Sequence, residues 1–265
     1  MTEKLLLATD LDRTVLPNGE QEELPDARQR FHTLTEREEV CLVYISGRSE
    51  DLLKEAITEF DIPVPAYAIG DVGTSIFITH DSSWKPLQQW QEVIALDWQG
   101  KSHADLSALF SDVSTLTLQE KSKQNTFKLS YYAPEDTDRD ALIAQMQSIL
   151  DDASINASLI WSIDEEEHRG LMDVLPERAT KLHALEFLQK FLGFDDSQTI
   201  FCGDSGNDMP ALIHAPHAVL VANARDDVKK EAASSARNLY IAHENYSAGV
   251  LEGVAHFFPK IVDTV

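Results

Sequence analysis

A chain of 265 residues is long enough for one large domain or two small ones, each with its own core. Its 22 Lys and Arg against 45 Asp and Glu give a formal net charge of −23, a field that repels nucleic acid and anionic lipid surfaces, and no run approaches 18 apolar residues, which excludes a membrane span as well. An anionic substrate would need a locally positive site or a metal to enter such a molecule.

Three short apolar runs open the sequence: LLLAT at 5–9, VCLVYI at 40–45 and AYAI at 66–69. A polar stretch ending in ARQRFHTLTER separates the first two, and SEDLLKEAITEF, with apolar residues at helical spacing, separates the second pair. Strand, helix, strand, helix at this spacing predicts an α/β fold with a Rossmann-like, doubly wound parallel sheet, whose ligand sites lie at the carboxyl ends of its strands.

After GDVGTSIFITH the pattern changes. An amphipathic helix is predicted from Trp84 to Trp98 and another around His103 to Phe110, followed by strands in TLTLQE and TFKLSYYA, the helix DRDALIAQMQSILDD and the strand SLIWSI. This predicts a smaller α/β domain at 81–169, inserted between the two parts of the core at 1–80 and 170–265. From Leu171 the doubly wound pattern resumes with a strand through Val174, the helix LHALEFLQKFLG, the strand TIFCGD, a helix through MPALIHA, the strand AVLVAN and helices to the end. Cys41 and Cys202 sit inside apolar runs, as free thiols of a reducing compartment do, and Leu5 to Ala8 is too short for the apolar part of a signal segment. The reading therefore places the chain in the cytoplasm.

Residues that carry chemistry gather at the strand ends. Asp10 and Asp12 bracket one residue, so in an extended strand they point to the same face; acids that merely cap or turn a strand end give the same pattern. In YISGR an apolar strand delivers Ser46, Gly47 and Arg48 to a helix start, where a hydroxyl and exposed N–H groups suit an anion and phosphate in particular, although an N-cap serine reads alike. Lys181 falls early in the helix after LPERAT. GDSGND sets Asp204 and Asp208 four residues apart after TIFC, with glycines for a tight turn. That is either a hard oxygen site suited to Mg²⁺ or a polar loop with Asp208 at an N-cap.

DLDRT, SGR, the later lysine and GDSGND, in that order, resemble the haloacid dehalogenase superfamily of phosphohydrolases, and an insert after the third strand looks like its C2 type of cap. The resemblance implies Asp10 as nucleophile and Asp12 as general acid and base. It implies Ser46, Gly47, Lys181 and Asn207 as phosphate-binding residues. It also implies Mg²⁺ as cofactor, held by Asp10, by Asp12 through its carbonyl and by Asp204, with Asp208 at the metal or the lysine. Such parts suit a reaction that enzymes accelerate by up to about 10²¹-fold: cations neutralise the phosphoryl charge that repels the attacking carboxylate, and a covalent aspartyl phosphate divides one hard step into two.

Within the C2 group, DLDRTVLPNG, YISGRS, AIGDVGTSIF, KQNTFKLSYY, LMDVLPERATK and CGDSGND look like the sucrose-6-phosphate phosphatase family. This implies a sugar phosphate as substrate, sucrose 6-phosphate first, with Arg48, Gln124, Asn125, Lys128 and Asp173 as substrate-binding residues, and a sucrose-phosphate synthase as partner. A solvent-facing strand explains Asn125 and Lys128 equally. The reading takes the chain as a monomer. Mannosylfructose phosphate or another sugar phosphate fits the same motifs. From other classes, a receiver-like phosphoacceptor domain shares the acidic pocket and the lysine but leaves Asp12 and the insert unexplained. A non-catalytic sugar- or metal-binding protein would keep the sites without turnover.

Overall fold

The computed structural model describes residues 4–80, 83–164 and 167–262. They divide into two compact units, one made of residues 1–87 and 181–265 and the other of 88–180.

The first unit is built on an eight-stranded sheet. Its first half contributes β1 (Leu5–Asp10), α1 (Ala27–Thr35), β2 (Val40–Ile45), α2 (Glu50–Glu59), β3 (Tyr67–Gly70), β4 (Ser75–Ile78) and β5 (Lys85–Pro86). The second unit then supplies α3 (Gln88–Ala95), α4 (His103–Leu109), β6 (Thr117–Leu118), β7 (Leu129–Pro134), α5 (Arg139–Asp152), β8 (Ala157–Asp164) and β9 (Arg169–Pro176). The chain returns to the first unit with α6 (Lys181–Leu192), β10 (Thr199–Gly203), α7 (Met209–His214), β11 (His217–Leu220), α8 (Asp226–Ser235), β12 (Leu239–Ile241), α9 (Tyr246–Phe257) and α10 (Pro259–Val262).

The large sheet runs β12-β11-β10-β1-β2-β3-β4-β5. All pairs from β12 to β3 are parallel, and β4 and β5 add antiparallel. Every residue of β1 is buried, which is why LLLAT reads as a continuous apolar run: a parallel strand with helices on both sides has no wet face. Burying each of its leucines contributes about 2 kcal/mol. From β1 the chain winds outward to β2 and β3 on one side and later to β10, β11 and β12 on the other. The order therefore reverses between β1 and β10, and such a switch point opens a crevice at the carboxyl ends. Helix α9 lies close on β11 because residue 253 is glycine; a Cβ there would come within 2.3 Å of the Val219 side chain.

The second unit carries a four-stranded antiparallel sheet, β6-β7-β9-β8. Its core joins Leu129, Tyr131, Met172 and Val174 of the sheet to Trp98, Leu106, Met146 and Leu150. Helix α4 starts at a capping box between Ser102 and Asp105, and α5 at an Asp138 cap.

Two expectations need correcting. The strand through Val174 is not the return of the doubly wound sheet: β9 pairs along its length with β8 and with β7, so 170–180 belongs to the inserted unit. An isolated apolar run looks the same whichever sheet takes it. The helix expected from Trp84 is also shorter, because Lys85 and Pro86 pair with β4 and keep the segment up to Leu87 in the first unit; proline lacks the N–H that a helix interior uses. Both cysteines are free, and burial pushes the Cys41 thiol up to about 11. No helix among the described residues is long and apolar enough to cross a membrane.

Candidate active site

The three strands β10, β1 and β2 lie side by side and in register, Thr9 opposite Cys202 and Asp10 opposite Ile45. Their carboxyl ends therefore deliver Asp204, Asp10 and Ser46 to one edge of the sheet. Lys181, the first residue of α6, completes the group and is buried, at 6% exposure. Its Nζ donates to Asp10 Oδ1 at 2.6 Å, to Asp208 Oδ1 at 2.7 Å and to Asn207 Oδ1 at 3.2 Å. A cavity of about 650 Å³ opens here, lined by Asp10, Asp12, Ser46, Arg48, Lys181 and Asp204 among others.

The loop after β10 owes its shape to Asp208. Its Oδ2 accepts from the Asp204 and Ser205 amides, each at 3.2 Å, and from the Ser205 hydroxyl at 3.0 Å. The carboxylate packs so closely on Gly203 that a Cβ at 203 would lie 2.8 Å from Oδ2. Asp208 thus pins both the loop and the lysine. The hydroxyl of buried Thr14 lies 3.5 Å from Asp10 Oδ2 and 3.5 Å from Asp204 Oδ1, so one oxygen of each acid turns to the same spot.

Asp10, Asp204 and Asp208 are all buried, and one carboxylate oxygen from each lies within 4.8 Å of the others. Burial first, and the charge of Asp208 second, hold Asp10 well above the usual carboxylate range despite Lys181. The same two causes push Asp204 up to about 6 against the pull of Arg13. For Lys181 the burial cost is overcome by Asp10 and Asp208, so its pKa rises and it stays charged. Crowded hard oxygens with more negative than positive charge fit a divalent cation such as Mg²⁺. Asp10 Oδ2 and Asp204 Oδ1, which meet the Thr14 hydroxyl only at 3.5 Å, are the oxygens placed to hold it, whereas both oxygens of Asp208 accept shorter bonds from the protein.

Asp12 points elsewhere. Its carboxylate accepts from Arg48 Nη2 at 2.7 Å, from Arg48 Nε at 2.9 Å and from Asn18 Nδ2 at 2.8 Å. Those bonds outweigh partial burial and keep it below the usual carboxylate value. Arg48, expected at the substrate, is the partner of Asp12. Ser46 is buried with its Oγ accepting from the Arg48 amide at 3.2 Å, and Gly47 is exposed beside it.

Four expected residues lie in the inserted unit. Gln124 spends its amide internally: Nε2 donates to the Gln119 and Ser130 carbonyls, and Oε1 accepts from the Ser130 amide. Asn125 Oδ1 accepts from the Phe127 amide at 2.8 Å. Lys128 and Asp173 come together as a 3.8 Å ion pair, with Ser130 Oγ also donating to Asp173. Residues that the sequence reading passed over are Arg13, Thr14, Asn18 and Asn223. The first two stand inside DLDRT itself, and Asn223 follows the carboxyl end of β11, where the same strand-end rule would have found it.

The sequence profile described as sucrose-6F-phosphate phosphohydrolase matches residues 3–258. The chain belongs to the sucrose-6F-phosphate phosphohydrolase family. A member of this family, it is a phosphoric monoester hydrolase with the haloacid dehalogenase fold, a doubly wound core carrying a C2-type insert. It is 48% identical to an HAD-like hydrolase of Nitrosococcus oceani, over 98% of this chain and 73% of that protein. To sucrose-phosphatase 1 of Nicotiana tabacum it is 31% identical over 96% of this chain and 59% of the other, so the chain spans about three-fifths of the tobacco protein's length. Among solved structures it is similar to the sucrose-phosphatase from Synechocystis in complex with sucrose and phosphate, at 27% identity and a TM-score of 0.72, covering 97% of this chain and 98% of that one. The superfamily and the phosphohydrolase family expected from the motifs are thus the ones found.

Proposed function

We propose that this chain hydrolyses sucrose 6-phosphate to sucrose and phosphate, with Mg²⁺ as cofactor and a phosphoryl group carried on Asp10. The observation that supports this most is the position of Asp10: one oxygen bonded to a buried lysine, the other turned towards Asp204 across the Thr14 hydroxyl. A carboxylate gripped at one oxygen presents the other for attack. The likeness to sucrose-phosphatases supports the choice of sugar.

In the first step Oδ2 of Asp10 bonds to phosphorus and the bond from phosphorus to the sugar oxygen breaks, a protonated Asp12 giving that oxygen its proton. In the second, Asp12 takes a proton from water as the water attacks phosphorus, and the bond to Asp10 breaks. Lys181, Asn207, the Ser46 hydroxyl and the Gly47 amide hold the phosphoryl oxygens. Held by Asp10, Asp204 and the Asp12 carbonyl, Mg²⁺ would supply positive charge against those oxygens. Paired with Arg48, Asp12 rests ionised, the form that the second step needs. The first needs it protonated, so Asp12 must leave Arg48 and carry a proton, the one taken from water in the previous turnover or one from solvent, before it meets the leaving oxygen. Lys128 and Asp173 of the inserted unit are the residues we assign to the sugar, while the internally bonded Gln124 and Asn125 shape the loop that carries Lys128. A sucrose-phosphate synthase is the upstream partner on this reading.

The test is phosphate release with Mg²⁺ from sucrose 6-phosphate, mannosylfructose phosphate, trehalose 6-phosphate, glucose 6-phosphate and fructose 6-phosphate. A preference of about a hundredfold for sucrose 6-phosphate is expected, because a site built for sugar hydroxyls leaves polar groups unpaired with the wrong sugar. Another sugar winning overturns the substrate and leaves the chemistry. Stoichiometric phosphate uptake without turnover would instead favour a phosphoacceptor domain, and no release at all would overturn the whole reading.

A further inference from the structure

Asp204 already has a cation. Arg13 Nε donates to its Oδ2 at 3.2 Å, and the arginine is held there from several directions. Its Nη2 donates to the Asn223 carbonyl at 3.3 Å, the Asn223 Nδ2 donates back to the Arg13 carbonyl at 2.6 Å, and the Arg13 amide donates to Asn18 Oδ1 at 2.8 Å. Asn223 is in turn fixed by the Tyr246 amide, which donates to its Oδ1 at 2.9 Å. Arg13 also sits at a φ of 60°, a left-handed backbone that residues other than glycine, asparagine and aspartate rarely adopt. A network that holds so long a side chain on one acid, through an uncommon backbone, calls for a role.

The charges supply it. Asp10, Asp204 and Asp208 crowd together in a buried site, and Lys181 serves Asp10 and Asp208. We propose that Arg13 is a built-in counter-ion at Asp204, which steadies the site when it holds no metal and contests Mg²⁺ for the same carboxylate. This rests on the reading of Asp204 as a Mg²⁺ ligand. A fixed positive charge beside a ligand reduces the pull of the site on a second cation, while in the metal-free protein it offsets repulsion among the acids. Arg13 is 41% exposed against 5% for Asp204, so it can withdraw into water without leaving a charge orphaned in the core. Exposure also screens it, which sets the effect at the low end of the range for outer-shell partners.

The experiment is calorimetric titration of the metal-free protein with Mg²⁺, together with melting curves in EDTA and in saturating Mg²⁺, for the wild type, Arg13→Asn and Arg13→Lys. Asparagine tolerates the left-handed backbone and removes the charge; lysine keeps the charge. In Arg13→Asn, Mg²⁺ should bind about tenfold more tightly, the EDTA melt should fall, and the gap between the two melts should widen. Arg13→Lys should stay within about twofold to threefold of the wild type, since charge rather than shape is at issue. A tighter site is a gain that mere structural damage does not produce. Unchanged or weaker Mg²⁺ binding in a folded Arg13→Asn would overturn the counter-ion, leaving the phosphatase reading in place. A wild type that does not bind Mg²⁺ at all would overturn both.

Discussion

Lys181 and Asp10 meet through a 2.6 Å bond between two buried side chains that lie 171 positions apart in the sequence. The bond leaves Asp10 one oxygen for chemistry and does not fully offset the cost of its burial beside Asp208. Two consequences separate in Asp10→Asn. Phosphate release should vanish, since the amide cannot carry the phosphoryl group. The metal-free protein at pH 7.5 should meanwhile melt higher, because a carboxyl whose pKa is raised in the fold is destabilising wherever it is ionised. A gain of about 1 kcal/mol would appear as roughly 2–4 °C in differential scanning calorimetry. Surviving turnover would refute the covalent route; an unshifted melt would mean that Lys181 balances the buried charge.

Asp204→Asn tests the metal. One ligand charge is lost, so the Mg²⁺ concentration for half-maximal activity should rise at least about tenfold. Removing the metal with EDTA should stop the wild type, and added Mg²⁺ should restore it. An unaltered titration curve for the variant would remove Asp204 from the ligand set.

In the inserted unit two substitutions should behave in opposite ways. Lys128→Ala should slow release from sucrose 6-phosphate far more than from p-nitrophenyl phosphate, because the second substrate has no sugar hydroxyls to recognise. Gln124→Ala breaks bonds to two carbonyls and an amide, and should lower stability by about 1–3 kcal/mol. Equal losses on both substrates for Lys128→Ala would take that lysine away from the sugar.

A pH effect on stability is expected far from the cavity. Glu252 on α9 accepts from the Tyr240 hydroxyl at 2.7 Å, from His243 Nδ1 at 2.7 Å and from the His243 and Glu244 amides at 2.8 and 3.0 Å. Against a burial cost, those bonds keep its pKa below the ordinary 4.5. A lowered carboxyl stabilises above its unfolded pKa and loses that contribution as pH falls through the folded one. Glu252→Gln should therefore melt below the wild type at pH 7, with the gap closing below about pH 4. A gap independent of pH would mean that the glutamate acts by shape alone.

Much of the site could be read from the sequence because it follows one rule repeated three times. An apolar run marks a buried parallel strand, and the residues at its carboxyl end face the crevice; Asp10, Ser46 and Asp204 are each found that way. Arg13 escapes the rule because its place depends on Asn223, some two hundred positions away, and no local pattern records that pairing. The place of β9 is hidden for a related reason: LMDVLP is apolar enough for either sheet, and only its pairing with β7 and β8 decides. Gln124 looks free on paper and is consumed in space.

The border between the two units falls on the peptide bond joining Thr180 to Lys181. The chain thus leaves the insert and arrives at the buried lysine that holds Asp10 with no spacer between them. One residue added or removed at this junction would turn the start of α6 by about 100° and carry the amine away from Asp10. For anyone exchanging inserts to test whether they decide the sugar accepted, this is the splice that must keep its register, whereas Leu87 and Gln88 at the other border are not among the residues that line the cavity.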